Sequence, residues 1–253
     1  MILASMLIVM LNLLCANNLS TVENPTASLL NQGEVRIVQK IYKMNSMMLG
    51  AEVGLFDIFQ FGMAYGAEEV VGDNDIKLHN IPAFKAKVRL LEETFVLPAI
   101  ALGVDTQGHG SYYKKVTNEY DETISQNRFE VKSKGGYAVL SKNFIMWGLI
   151  GFDLGANYTF EGTKDDQKFA AFAGMYKTIG EKVTVLADFS AGFNDRDTEG
   201  PLAVRNRGFL NSALQFQATD QLAVKFMLHD MFRNRKETNG FDRSILIDYR
   251  WHF

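Results

Sequence analysis

The chain has 253 residues, of which 47% are hydrophobic and 22% are charged, and its formal net charge is −3. This balance is ordinary for a folded protein and offers no basic surface, so we expect no nucleic-acid partner. No run of about 18 uncharged apolar residues follows the N-terminus, which excludes transmembrane helices. Cys15 is the single cysteine, which excludes a disulfide, and the four histidines lack ligand spacing, so we expect no metal and no cofactor.

The N-terminal residues 1–16 are mostly apolar and have the length of a signal-peptide core. The stretch ending at Ala16 could precede a cleavage, although the usual cationic start is missing because the first basic residue is Arg36. A lipoprotein attached through Cys15 and a buried N-terminal helix remain as alternatives. The predicted organisation is a signal peptide at 1–16, a periplasmic N-terminal segment at 17–32 and an outer-membrane β-barrel at 33–253.

From Gly33 onward, apolar and polar residues alternate with a period of two, which indicates β-strands. The last segment shows this most clearly, since Ile245 and Ile247 fall on one face while Ser244 and Asp248 fall on the other. The pattern predicts twelve strands at about 34–43, 46–55, 58–66, 82–92, 96–106, 129–143, 147–161, 168–179, 183–194, 207–218, 221–232 and 242–253.

The predicted connections alternate between tight turns and longer polar loops, and only the first hairpin, near Asn45, departs from this. Short turns on one side, long loops on the other and aromatics near strand ends are typical of bacterial outer-membrane barrels. We therefore predict an all-β fold, a transmembrane antiparallel up-and-down β-barrel of about twelve strands, in contact with outer-membrane lipid. Apolar and polar residues would also alternate in a soluble β-sandwich or soluble barrel. Glycines on the polar face, however, favour a barrel whose polar face lines a lumen.

Six stretches carry a family resemblance: N-P-T-A-S-L-L-N-Q-G-E at 24–34, V-G-L-F-D at 53–57, Y-G-A-E-E-V-V-G at 65–72, F-V-L-P-A-I-A-L-G-V-D-T-Q-G-H-G at 95–110, K-S-K-G-G-Y-A-V-L-S-K-N-F at 132–144 and the terminal Y-R-W-H-F. Together they resemble a family of uncharacterised outer-membrane barrels related to YjbH-type barrels. The resemblance spans roughly residues 24–253 and implies one barrel, with no known activity. A YjbH relationship would suggest a role in polysaccharide secretion.

The C-terminal spacing of Tyr249, Trp251 and Phe253 resembles the signal read by the barrel-assembly machinery, which we predict as a partner. His109 and Ser111 are two residues apart, so on a strand they would share a face and could form a base and a nucleophile. Outer-membrane phospholipases use such a pair with an asparagine, but no third member is identifiable here. We predict that the protein is not an enzyme and keep a hydrolase as a third alternative.

Two acidic runs, 73–75 and 195–197, contain oxygen ligands suited to Ca²⁺, although solvated loop charge is the simpler explanation. On the predicted strands, a Lys or Arg facing lipid would cost roughly 2–4 kcal/mol at the midplane, so the charges should face the lumen. The predicted lumen-lining cations are Arg36, Lys40, Lys85, Lys87, Arg89, Lys132, Lys134 and Lys142. The predicted lumen-lining acids are Glu52, Asp105, Asp153, Asp188 and Asp248.

The number of strands does not decide whether the lumen is open or closed. About eight strands fill their own interior, while about sixteen leave a channel. Cations without partners would favour anionic solutes, whereas mutually paired charges would close the lumen. We predict first a narrow passive pore for small hydrophilic solutes, anions among them. The second prediction is a non-conducting structural or polysaccharide-secretion barrel.

Overall fold

The computed structural model describes residues 18–43, 46–70, 75–79, 81–117, 123–163, 167–197, 200–236 and 241–253. Within these ranges the strands are β1 (Glu34–Ile41), β2 (Met47–Leu55), β3 (Phe59–Glu68), β4 (Lys77–Leu78), β5 (Ala83–Leu91), β6 (Ala99–Asp105), β7 (His109–Thr117), β8 (Thr123–Val131), β9 (Gly135–Ile145), β10 (Leu149–Tyr158), β11 (Phe169–Ile179), β12 (Val183–Ser190), β13 (Phe209–Gln217), β14 (Leu222–His229) and β15 (Asp242–His252). The predicted signal peptide and the first hairpin turn near Asn45 lie outside the described residues.

Twelve of these strands close into one antiparallel barrel. The first strand, β1, pairs with both β2 and the last strand, β15, and the ring continues through β3, β5, β6 and β9 to β14. Closure leaves no unpaired edge, which is the condition for β-structure inside a bilayer. The prediction of a twelve-stranded antiparallel barrel is confirmed. The two-residue strand β4 and the β7–β8 hairpin lie outside the ring. Both lie in stretches predicted to be loops, except that residues 129–131 of β8 belong to the strand predicted at 129–143.

The outer surface of the barrel is a band of exposed large apolar side chains. Its members come from around the ring and include Leu49, Phe61, Met63, Phe84, Leu102, Leu140, Phe152, Leu154, Met175, Leu214 and Phe226. Soluble monomers rarely expose so extensive an apolar surface, whereas lipid solvates it. The chain is therefore a bacterial outer-membrane barrel, and its ends are named by the rule that short turns of such barrels face the periplasm. Among the described residues, no helix has the length and apolar character of a membrane span.

Period-two alternation produces the two faces of each strand. In β11, Ala170, Phe172 and Tyr176 are buried, while Phe169 and Met175 face outward and are exposed. The large Phe172 ring fits inside the barrel because its cross-strand partner is Gly155, where a Cβ atom would collide with the ring.

The strand predicted at 129–143 is wrong in its boundaries and in its phase. The chain leaves the sheet at 132–134 and enters β9 at Gly135, whose φ of 65° interrupts the extended backbone. Alternation therefore does not run through this point. Tyr137 is buried inside the barrel, and Lys142 falls on the outward face instead of the lumen face.

Residues 18–30 of the predicted periplasmic segment lie inside the barrel, whereas Asn31 and Gln32 at its end are exposed. Residues 18–30, here called the plug, form a tight turn in which Ser20 and Pro25 make an antiparallel bridge. Thr21, Ala27 and Leu30 are each 0% exposed. The segment has no alternating pattern, so its sequence gives no sign that it enters a barrel, and its predicted periplasmic location needs correction.

Candidate functional site

The lumen holds the plug chiefly through Asp188 on β12. One carboxylate oxygen, Oδ2, accepts hydrogen bonds from three consecutive backbone N–H groups and one hydroxyl: Val22 N at 3.0 Å, Glu23 N at 2.7 Å, Asn24 N at 2.9 Å and Thr21 Oγ1 at 3.0 Å. Successive N–H groups that converge on one anion form a strong anion-binding concavity. The charge of Asp188 is thus used to fix the plug.

Two lysines hold the plug from other parts of the wall. The Lys87 ammonium on β5 donates to the carbonyl oxygens of Thr26 at 3.0 Å and Ser28 at 2.9 Å. The Lys225 ammonium on β14 donates to the carbonyl oxygens of Ser20 at 3.2 Å and Thr21 at 2.8 Å. Both cations therefore satisfy hydrogen-bond acceptors of the plug backbone. Lys225 was not among the predicted lumen cations, although alternation within the predicted strand 221–232 would have assigned it to the lumen face.

Further polar anchors come from Ser141 and Lys134. The Ala27 N–H donates to Ser141 Oγ at 2.7 Å, and that hydroxyl in turn donates to Asp153. The Lys134 ammonium donates to Asn24 Oδ1 at 2.6 Å. Apolar contacts add to these bonds, because Val22 packs in one buried cluster with wall residues and Ala27 packs in another.

Other predicted lumen charges form pairs along the wall. Arg36 on β1 lies between two acids, with Nη1 3.1 Å from Glu52 Oε2 and Nε 3.0 Å from Asp248 Oδ2. The Lys85 ammonium is 3.3 Å from Asp105 Oδ2. Arg89 lies at the periplasmic end of the barrel. Its Nη2 donates to a carbonyl oxygen of the turn between β2 and β3, at 2.7 Å.

Lys142 is the one predicted lumen cation that the structure places outside. It lies directly opposite Phe152, whose ring is exposed on the lipid face. The Lys142 ammonium donates to carbonyl oxygens of the β5–β6 turn, including that of Phe95 at 3.1 Å, so it reaches the periplasmic interface. The other predicted cations and acids point inward: Arg36, Lys40, Lys85, Lys87, Arg89, Lys132, Lys134, Glu52, Asp105, Asp153, Asp188 and Asp248.

Glu23 is the single charged residue of the plug. Its Oε1 is 2.6 Å from Lys40 Nζ, 3.2 Å from His229 Nδ1 and 3.9 Å from His109 Nε2. This cluster was not predicted, because Glu23 was assigned to a periplasmic segment and the histidines lack ligand spacing. The His109 ring is stacked on Tyr42, with 4.4 Å between the ring centroids.

Two cavities adjoin the plug. The first, of about 120 Å³, runs between the plug and the wall formed by β1, β2, β3, β5 and β6. Its lining contains six cations, Arg36, Lys40, Lys85, Lys87, Lys132 and Lys134, and three acids, Glu23, Glu52 and Asp105. The second, of about 90 Å³, lies towards the extracellular loops. Glu23 and His109 are among the residues that line both cavities, so they lie where the two cavities adjoin.

Above the second cavity, extracellular segments are fastened by a buried ion cluster. The Arg128 guanidinium on β8 is 0% exposed and lies 2.8 Å from Asp195 Oδ1 and 2.9 Å from Asp197 Oδ2. Arg235 reaches the other oxygen of Asp195 at 3.2 Å. The run 195–197, considered for Ca²⁺, therefore pairs with guanidinium groups. Residues 73 and 74 of the other acidic run lie outside the described residues.

The structure does not bring His109 and Ser111 together as a catalytic pair. His109 faces Glu23, whereas the Ser111 hydroxyl donates to Glu68 Oε2 at 3.2 Å. Gly110 between them has a φ of 78°, which breaks the alternation that would have put both side chains on one face.

The sequence matches no family model and no curated protein. Among solved structures, the chain is similar to the KdgM porin, with 7% identity, a TM-score of 0.49 and coverage of 87% of this chain and 99% of that chain. It is also similar to the COG4313 outer membrane channel from Pseudomonas putida F1, with 11% identity, a TM-score of 0.48 and coverage of 88% and 97%. The outer membrane protein Omp33 of Acinetobacter baumannii gives 11% identity, a TM-score of 0.46 and coverage of 88% and 98%. Identities this low carry no information on the side chains of the lumen.

Proposed function

We propose that the protein is an outer-membrane channel for small hydrophilic solutes, with a preference for anions, and that the plug closes it in the conformation described. One observation carries the proposal: within the described residues, the plug adds no strand to the barrel. Its hydrogen bonds to the wall involve side chains such as Asp188, Lys87 and Lys225. Withdrawal of the plug would therefore leave every ladder bond of the barrel intact.

The preference for anions follows from the first cavity, whose lining cations outnumber its acids by six to three. An excess of fixed cations in a narrow, low-dielectric passage raises the local concentration of anions. Withdrawal of the plug would also remove Glu23 and free the ammonium groups of Lys87 and Lys225, which would increase the excess.

The second candidate, a non-conducting structural barrel, is favoured by the number of anchors on the plug. A YjbH-type role in polysaccharide secretion remains a proposal of the same class. Single-channel recording of the purified protein in planar bilayers separates the candidates. The channel predicts brief openings to a conducting level, whereas a structural barrel predicts none.

Two matched variants test the preference for anions. Lys85→Gln removes a cation from the cavity wall beside Asp105, and Lys142→Gln removes the same charge from the outward face. In a salt gradient, Lys85→Gln should shift the reversal potential towards cation preference, while Lys142→Gln should leave it unchanged. Equal shifts in both variants would contradict the assignment of Lys85 to the lumen wall and of Lys142 to the outward face.

A further inference from the structure

We propose that Lys40, His109 and His229 form a carboxylate-binding site of the channel, and that Glu23 occupies this site in place of a solute. The inference rests on the proposed function, since it assigns the solute class of the same lumen. Among plug residues 18–30, the only charged side chain ends at the point where these three groups converge.

The site belongs to the wall and to the β7–β8 hairpin, and not to the plug. Its three members come from separate elements, β1, β7 and β14. Contacts with wall residues orient two of them, because the His109 ring stacks on Tyr42 and His229 Nε2 is 2.6 Å from Ser244 Oγ. The Lys40 ammonium lies 4.6 Å from the centroid of the Tyr42 ring. A receptor of this shape would persist when Glu23 leaves.

The site lies on the path that a solute would take through the lumen. Glu23 and His109 line both cavities, so a solute that passes from one to the other meets this group. Lys132 and Lys134 line both cavities as well and add positive charge around the same point. A carboxylate is the group that such a cluster binds best, because ammonium and imidazole N–H groups donate charge-assisted hydrogen bonds to it.

Replacing Glu23 with alanine should empty the site without releasing the plug. The hydrogen bond from residue 23 to Asp188 uses the backbone N–H, which alanine retains. The neighbouring bonds from Val22 and Asn24 to the same oxygen are also unaffected. A three-carbon acid fits cavities of about 120 and 90 Å³.

Isothermal titration of detergent-purified barrels with glycerate, and with glycerol as the neutral counterpart, tests the proposal. Glu23→Ala should bind glycerate at least tenfold more tightly than the parent protein, and neither should bind glycerol. Adding Lys40→Met to Glu23→Ala should abolish the gain. Glu181→Ala, which removes an acid from the turn between β11 and β12, should behave as the parent protein. Heat-modifiable migration in gels confirms that each variant is folded.

Equal glycerate affinity in Glu23→Ala and the parent protein would overturn the proposal, as would a gain that survives Lys40→Met. Binding in detergent does not require conduction. A protein that binds glycerate but never opens would therefore contradict the proposed channel and leave the carboxylate site standing.

Discussion

At the scale of single residues, Asp188 makes more hydrogen bonds to the plug than any other wall side chain in the described part of the chain. Four donors of the plug converge on its Oδ2 atom. Asp188→Ala should destabilise the closed plug by roughly 2 kcal/mol or more, since hydrogen bonds to charged groups contribute about 1.5–3 kcal/mol each. The open population should then rise more than about tenfold, because 1.4 kcal/mol is a factor of ten.

Thiol labelling measures this change. With Cys15 replaced by serine, a Thr21→Cys side chain is buried in the closed plug and should react slowly with a maleimide. Labelling should accelerate in Asp188→Ala but not in Asp220→Ala, which changes the turn between β13 and β14. Unchanged labelling in Asp188→Ala would show that this carboxylate does not hold the plug.

Alternation assigns a side chain to one face only along a continuous strand, and an interruption of the strand changes the assignment. Alternation along β5 places Lys85 and Lys87 on the lumen face, because a lipid-facing cation is costly. Lys142 was misplaced because the backbone at Gly135 resets the phase between it and Lys134. The role of Glu23 could not be predicted, because it depends on where a segment without a strand pattern folds.

At the scale of elements, the β7–β8 hairpin is fastened to extracellular segments by Arg128. Arg128→Met would leave Asp195 and Asp197 facing each other without their central cation, and breaking a buried pair costs about 3–5 kcal/mol. Extracellular protease should then cleave the hairpin and the 191–208 loop faster, while the barrel keeps its heat-modifiable migration. Lys114→Met on the exposed side of the same hairpin is the control and should not change cleavage.

The same cluster determines the pH below which the hairpin loses stability. Burial alone would raise the pKa of Asp195, but the guanidinium groups of Arg235 and Arg128 outweigh it and hold this pKa below its ordinary value. A carboxyl whose pKa is lowered on folding stabilises the fold above its ordinary pKa of about 3.9, and this contribution is lost as the pH falls through the lowered value. Docking of the hairpin should therefore be insensitive to pH near neutrality.

Two elements could not be read from the sequence. The plug has no hydrophobic period, and its backbone is satisfied by side chains that lie far away in sequence, such as Asp188 and Lys225. The β7–β8 hairpin occupies a stretch that is polar enough to resemble a loop. In β15, Tyr249 and Trp251 face outward with their rings 5.9 Å apart, and their role with Phe253 as an assembly signal stays a prediction.

At the scale of the whole molecule, the barrel and the plug are separable parts. Hydrogen-bonded ladders close the barrel by themselves, whereas side chains of the wall fasten the plug within it. Strand number and topology followed from alternation and loop lengths, which are local properties of the sequence. Whether the lumen is open depends on contacts between distant segments. The sequence is therefore compatible with both a pore and a closed barrel.

A reversible cross-link between the plug and the wall tests the central claim, that plug withdrawal opens the channel, most directly. A Cβ atom at Gly174 on β11 would lie 3.2 Å from Thr21 Cβ, and disulfides need about 3.5–4.5 Å, so a small shift allows a Thr21→Cys/Gly174→Cys bond. With Cys15 replaced by serine, single-channel recordings should show no openings when the pair is oxidised and openings after reduction, while Gly174→Cys alone should not respond to reductant. Equal openings in both redox states, or none in either, would contradict the account.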